Sequence, residues 1–266
     1  MADTPQYPTS LGTSDLTSMY LMGHNVTEEL MGHVSFGELA YWLLTLERPT
    51  PQQGRLFEAV LIGLADHGFT PTAIATRVTF LSAPDSIQGA LAAGLLGGGS
   101  RFLGVTEDTG RFLGDVLAGL DELPSDDAGW DEVALAAVRR QREAGRFLPG
   151  LGHHVHKDGD PRTPRLVQIA HEEGLYGPHL ALFEAIGRTH EQVLGKRLPL
   201  NGAGTSGAAL ADLGLPRELL RGVALLARCA GLLGHIAEEI RSPGVANDIF
   251  LNVDRNAVYV DPATRA

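Results

Sequence analysis

The sequence predicts an all-α fold, on three observations. Apolar residues recur at helical spacing along almost the whole chain, Gly, Pro and capping residues punctuate those stretches, and strand-like alternation is nearly absent. Only "NAVYVDP" near the C-terminus suits a short strand. In order, "TEELMGHVSFGELAYWLLTLE" (27–47) reads as a helical hairpin. Leu30, Met31, Val34, Leu39, Trp42, Leu43 and Leu46 lie at compatible spacings, Ser35 is the N-cap of the second helix, and Glu38 completes a capping box. "QQGRLFEAVLIGLADHG" (52–68) is a helix ending in glycine, and Thr70 with Pro71 starts the next, so His67 falls on a tight corner. The 84–99 helix is built from Gly89, Ala90, Ala92, Ala93 and Gly94, small enough to admit another helix closely and suited to a helix-rich interface between subunits. "DVLAGLDEL" and "DEVALAAVRRQREAG" flank an exposed polar turn, "PSDDAGW". Four further helices follow in "DPRTPRLVQIAHEEG", "GPHLALFEAIGRTHEQVLG", "GTSGAALADLG" and "PRELLRGVALLARCAGLLGHIAEEI", making about ten in all.

Composition narrows the classes. With 266 residues, 44% of them hydrophobic, the chain can bury one large domain or two unequal ones. Its 21 basic residues against 32 acidic ones, a net charge of −11, argue against a nucleic-acid surface. The single cysteine, Cys229, allows no intrachain disulfide and no zinc site of Cys pairs, which suits a cytoplasmic protein. No basic-then-apolar leader opens the chain, and no run of about 18 uninterrupted apolar residues suggests a membrane span. The expectation is a soluble protein without membrane contact. The triplet "RFL" at 101, 111 and 146 is too short to be a repeat.

Candidate chemistry concentrates in "PGLGHHVHKDGDPR" (149–162). A metal site of His153, His154 and His156 is disfavoured, because adjacent side chains diverge and no Cys or HExxH motif supports them. An acid/base reading is better motivated. The Gly-Leu-Gly turn lets an imidazole enter a cleft, histidine polarises carbonyls or moves protons near neutral pH, and an arginine offers a planar fork to a carboxylate. "GGGSR" (97–101) could cradle a phosphate, but it follows a helix and lacks the GxxxxGK[ST] spacing, so a helix end and turn is the favoured reading. "LNVD" (251–254) reads as a structural apolar-acidic turn.

These stretches carry a resemblance. "GLGHHVHKDGDPR" resembles the GxGHxVxKxxDPR signature of the citrate synthase superfamily. "ADHGFTPTAIATRV" (65–78) is similar to its xDHGxxxSTxxAR corner, and "NVTEELMGHVSFGELAYWLL" (25–44) to its EELxxxxSF segment. The likeness runs in order from about residue 20 to "LLGHIAEEI", ending at 240. "GSRFLG" (99–104) stands where citrate synthases have a histidine-bearing GPLHGG, which with the short length places the chain nearer citryl-CoA lyases and the citrate-synthase-like module of ATP-citrate lyase.

The resemblance implies a large helical domain plus a smaller one with the active site in the cleft. The expected boundaries are a tail at 1–20, the first part of the large domain at 21–155, the small domain at 156–235, and a return and arm at 236–266. It implies a homodimer or dimer of dimers acting on an acyl-CoA, with coenzyme A part of the substrate and no tightly bound cofactor or metal. His67 and His153 are the implied catalytic residues, the first on the oxo-acid portion and the second at the bond that breaks. Arg162 would clamp a substrate carboxylate beside His154, and Lys157 and Arg101, with Arg77 and Arg165, would offer a basic rim to CoA phosphates. The implied reaction is cleavage of a citryl-CoA-like 3-hydroxy-acyl-CoA to acetyl-CoA and an oxo acid such as oxaloacetate. Condensation in the synthase direction, or acyl-CoA binding with weakened catalysis, are the alternatives. The family's catalytic aspartate belongs in an xNVD segment that here reads "LPLNGAGTSGAAL" (198–210), with Ala203 at its place and Asp212 nine residues on inside a helix. Three explanations stand: water or Thr205/Ser206 supplies the proton, the substrate needs no such acid, or the protein binds without cleaving.

Overall fold

Eleven α-helices dominate the structure, a computed structural model that describes residues 6–153 and 155–264. The predicted tail is not featureless. β1 (Gly12–Ser14), β2 (Met19–Leu21) and β3 (His24–Asn25) form a small antiparallel sheet pairing Gly12 with Leu21 and Tyr20 with Asn25. Asp15 Oδ1 accepts from the Thr17 and Ser18 amides at 2.8 Å each and makes the first turn. Strands of two or three residues are too short for alternation to register in sequence. The first arm of the expected hairpin is likewise only a π-helical turn, Val26–Leu30, capped by Asn25. Gly32 at φ +83° ends it before a full helix can propagate.

The remaining helices follow the sequence more closely. α1 (Phe36–Thr45) has Ser35 as N-cap, accepting from the Glu38 amide at 3.1 Å, although the Glu38 carboxylate takes Arg48 at 2.8 Å. α2 is Pro51–Ala65, and α3 is Pro71–Ser82 behind its Thr70 cap. α4 is Ile87–Leu96 and α5 Val105–Leu117, the latter beginning well before "DVLAGLDEL". α6 (Asp127–Glu143) is capped by Asp126, so part of the expected polar turn is its first turn. α7 (Arg162–Glu172), α8 (Pro178–Leu194), α9 (Gly202–Asp212) and α10 (Leu220–Arg241) match the four later patterns. α11 (Val245–Arg255) absorbs "LNVD", correcting its reading as a turn. "NAVYVDP" forms no strand: Val258 and Tyr259 are exposed and no strand lies beside them among the described residues.

The chain divides into two units. One comprises the described residues up to Ile62 with Thr106–Leu220, the other Gly63–Val105 with the residues from Arg221 onward. The crossings fall inside α2 and at the starts of α5 and α10, whereas sequence reasoning put its breaks at 155 and 235. The first crossing lies inside an unbroken helix, which carries no linker composition to read.

In the first unit α8 is the central helix. Leu180, Leu182, Phe183, Ala185, Ile186 and Val193 are buried on more than one of its faces, and it packs against α6 and α9. His190, also buried, is satisfied within this core: its Nδ1 bonds the Ile186 carbonyl at 2.8 Å, and Nε2 accepts from the Leu198 amide at 2.9 Å. α9 is built of small residues because a Cβ on Gly207 would strike the Thr106 backbone. In the second unit α3 packs on α4 and α11. The small face of α4 serves this packing: a Cβ on Gly94 would come within 2.7 Å of Leu232 and 2.9 Å of the Thr72 carbonyl. Among the described residues one stretch, Arg217–Arg241, is long and apolar enough to cross a membrane by length and composition. It buries Arg228, His235 and Glu239, the behaviour of a polar-paired core helix.

Candidate active site

The histidine loop is held by glycines. Gly150 and Gly152 have φ of +80° and +83°, a region that side chains disfavour. A Cβ on Gly150 would meet the Phe183 ring at 2.7 Å, and one on Gly204 would come within 2.6 Å of Gly150 Cα, so loop and helix meet backbone to backbone. The Gly152 amide donates to the Pro199 carbonyl at 2.7 Å and the Asn201 amide to the Gly150 carbonyl at 2.9 Å. Asn201 completes the join. Its Oδ1 caps α9 through the Gly204 amide at 2.9 Å, while Nδ2 donates to the Gly152 carbonyl at 2.9 Å.

The turn at 153–156 sets the tautomer of His153. Its Nδ1 accepts from the Val155 amide at 3.0 Å and the His156 amide at 2.9 Å. Two backbone donors keep that nitrogen free of a proton and closed to a metal, so the neutral ring carries its hydrogen on Nε2. Nε2 lies 3.9 Å from Asp160 Oδ2. Asp160 is buried and surrounded by donors. Arg162 reaches it with Nε at 3.0 Å, Nη2 at 2.7 Å and its amide at 3.1 Å, and the Gly202 amide, at the N-terminus of α9, donates at 2.7 Å. Burial alone would raise its pKa. The Arg162 fork and the Gly202 amide outweigh that and hold the carboxyl far below the ordinary range.

The second unit positions His67, which is half-buried in the corner between α2 and α3. Asp66 before it accepts from the Gly68 amide at 2.8 Å, and Gly68 turns the chain at φ +69°. Asp66 Oδ1 also meets His235 Nε2 at 2.9 Å, with Arg228 Nη1 at 3.5 Å. His235 Nδ1 accepts from Arg77 Nε at 2.9 Å. Burial would raise the Asp66 pKa, but the Gly68 amide, His235 and the His67 amide hold it below the usual value.

Several expectations shift in consequence. Arg162 commits Nε and Nη2 to Asp160 and is not simply presented to a ligand. Arg77 is fully buried, which removes it from any basic rim; it occupies a core position because its guanidinium is paired there. Lys157 and Arg101 are exposed, and Arg165 pairs with Glu172 at 3.4 Å. "GGGSR" is a turn: the Phe102 and Gly104 amides both donate to the Gly99 carbonyl, at 3.0 and 2.9 Å. His154 lies outside the described residues. Thr205 is buried with its hydroxyl bonded to Thr163 and the Asn201 carbonyl, and Ser206 is buried beside it. Asp212 accepts from the amides of Gly177, His179 and Leu180 at 2.9–3.2 Å, capping α8 from outside because Gly177 has no side chain to do so. Sequence reasoning missed Asp160, Asn201 and His235 as organisers. The letters D, N and H at those places are a signal only once the segments they tie together are known to touch.

Comparison with known proteins agrees with this architecture. The family description "Citrate synthase, C-terminal domain" matches residues 20–249, and the chain belongs to the citrate synthase family. Citrate synthase of Deinococcus radiodurans is 31% identical over 212 residues, 74% of this chain and 50% of that protein. The chain spans about half the length of the curated relatives it matches. Among solved structures, citryl-CoA lyase from Hydrogenobacter thermophilus is similar with a TM-score of 0.82 at 30% identity, covering 98% of this chain and 96% of that one. ATP citrate lyase from Methanothrix soehngenii, in complex with citrate and coenzyme A, gives 0.81 at 21% identity, covering 99% of this chain and 43% of that one, a likeness of fold.

Proposed function

We propose that the chain is a carbon–carbon lyase that splits a citryl-CoA-like 3-hydroxy-acyl-CoA into acetyl-CoA and an oxo acid such as oxaloacetate. The observation that carries this reading is the likeness to a citryl-CoA lyase, which covers nearly all of both chains at 30% identity. In the cleavage, the hydroxyl proton leaves, the bond between the carbinol carbon and the thioester α-carbon breaks, and the α-carbon regains a proton. His153, with its hydrogen fixed on Nε2, donates to the oxygen where alkoxide charge gathers. His67 holds the oxo-acid portion. Arg162 shares its guanidinium between Asp160 and a substrate carboxylate, and Lys157 and Arg101 offer cations to CoA phosphates. A homodimer belongs to the same reading.

The proton lost and the proton gained balance, and water shuttles it. Ala203 offers no acid, and Thr205 and Ser206 are sealed in α9. That same alanine favours a second reading, an acyl-CoA-binding homologue with weakened catalysis. Incubation with citryl-CoA, following oxaloacetate by coupled NADH oxidation, decides between them. The lyase predicts release that falls by about a hundredfold or more in His153→Ala. Binding by calorimetry without release from citryl-CoA or other 3-hydroxy-acyl-CoA esters would establish the second reading.

A further inference from the structure

We propose that His235 is a positioning residue for His67, acting through the exposed Asp66 at the end of a hydrogen-bonded chain whose other members, Glu239, Arg77 and His235 itself, are buried; its catalytic consequence rests on the lyase reading above. The direction of each link is determined by chemistry. Arginine only donates, so the Arg77 Nε bond obliges His235 Nδ1 to be an acceptor. His235 therefore carries its hydrogen on Nε2 and donates it to Asp66 Oδ1, 2.9 Å away. Asp66 in turn takes the amides on both sides of the catalytic side chain, those of His67 and Gly68. A donor-acceptor sequence that begins on a core arginine thus ends on the peptide groups that aim the His67 ring.

The far end is anchored as firmly. Arg77 Nη1 donates to Glu239 Oε1 at 2.7 Å, Nη2 pairs with Glu238, and the Phe69 ring lies 5.1 Å from the guanidinium carbon. Glu239 also accepts from the Gly244 and Ala246 amides at 3.3 and 3.1 Å, which ties the chain to the start of α11. Arg228 faces Asp66 as a second cation. Apolar residues of like volume would hold these helices together at least as well as a buried ionic chain does. What they would not supply is a directed hydrogen bond to Asp66, and misplacing a substrate-binding group by about 1 Å costs up to about a hundredfold in rate.

Two variants of the full chain test this. His235→Gln can still accept from Arg77 and donate to Asp66; His235→Leu can do neither. Amide exchange at Gly68 and the imidazole NMR signals of His67 read the loop without any substrate, so they hold whether or not citryl-CoA is cleaved. The expected result is that Leu accelerates Gly68 exchange about tenfold and moves the His67 signals, while Gln stays within about threefold of wild type. Asp66→Asn, which keeps an acceptor for Gly68 but weakens the link to His235, moves the His67 signals too should the Leu variant not fold. In turnover, Leu lowers kcat, Gln restores most of it, and Leu adds little on top of His67→Ala. Unmoved His67 signals in the folded variants, equal losses from Gln and Leu, or multiplying losses in the His67 double variant would overturn the proposal. A wild type that does not cleave citryl-CoA but shows the NMR response would overturn only the lyase reading.

Discussion

Asp160 sits 3.9 Å from the His153 Nε2 and takes its donors from Arg162 and Gly202, which makes it the most consequential carboxylate in the first unit. Because its pKa in the folded chain lies below the unfolded value, the stability it contributes is complete above about pH 4 and drains away as pH falls further. Asp160→Asn should therefore cost about 3 kcal/mol near neutral pH, with the gap to wild type closing toward pH 2, as urea titrations at several pH values would read. His153 separates folding from chemistry in another way. An asparagine there can accept the Val155 and His156 amides as the imidazole does, so His153→Asn should keep the melting temperature close to wild type while activity is lost, whereas Ala loses both the loop bonds and the activity. The histidines and Arg162 could be picked out from motif spacing. Which nitrogen of His153 bears the proton could not, because that depends on the turn at 153–156.

At the level of elements, α9 joins packing to the site. Its cap Asn201 also holds the Gly152 carbonyl, so Asn201→Ala should cost about 1–2 kcal/mol and depress activity, measurable by thermal melting beside the citryl-CoA assay. Gly207→Ala drives a methyl into the Thr106 backbone and should cost about 1–3 kcal/mol in the same melts without touching the histidine loop. The capped helices α1, α3 and α8 were legible because Ser35, Thr70 and the Gly177-Pro178 pair announce their starts. α11 and the small N-terminal sheet were not, since the first has no side-chain cap and the strands are shorter than one clear period.

For the whole molecule, the decisive feature is that α2 passes from one unit to the other without a break. Unfolding either unit frays a helix that the other also uses, which favours a single cooperative transition. Both tryptophans, Trp42 and Trp130, belong to the first unit, so their fluorescence reports it alone while far-UV circular dichroism reports both. The two probes should give superimposable urea curves; separated midpoints would show that the units melt independently. Periodicity, caps and two histidine motifs were enough to determine an all-α chain of the citrate synthase family, because these are local properties written at fixed spacing. The partition into units, the burial of Arg77 and the ties from Asp160, Asn201 and His235 were decided by tertiary structure alone. Each depends on residues 40 to 170 positions apart coming within hydrogen-bond reach, and nothing in local spacing encodes that distance.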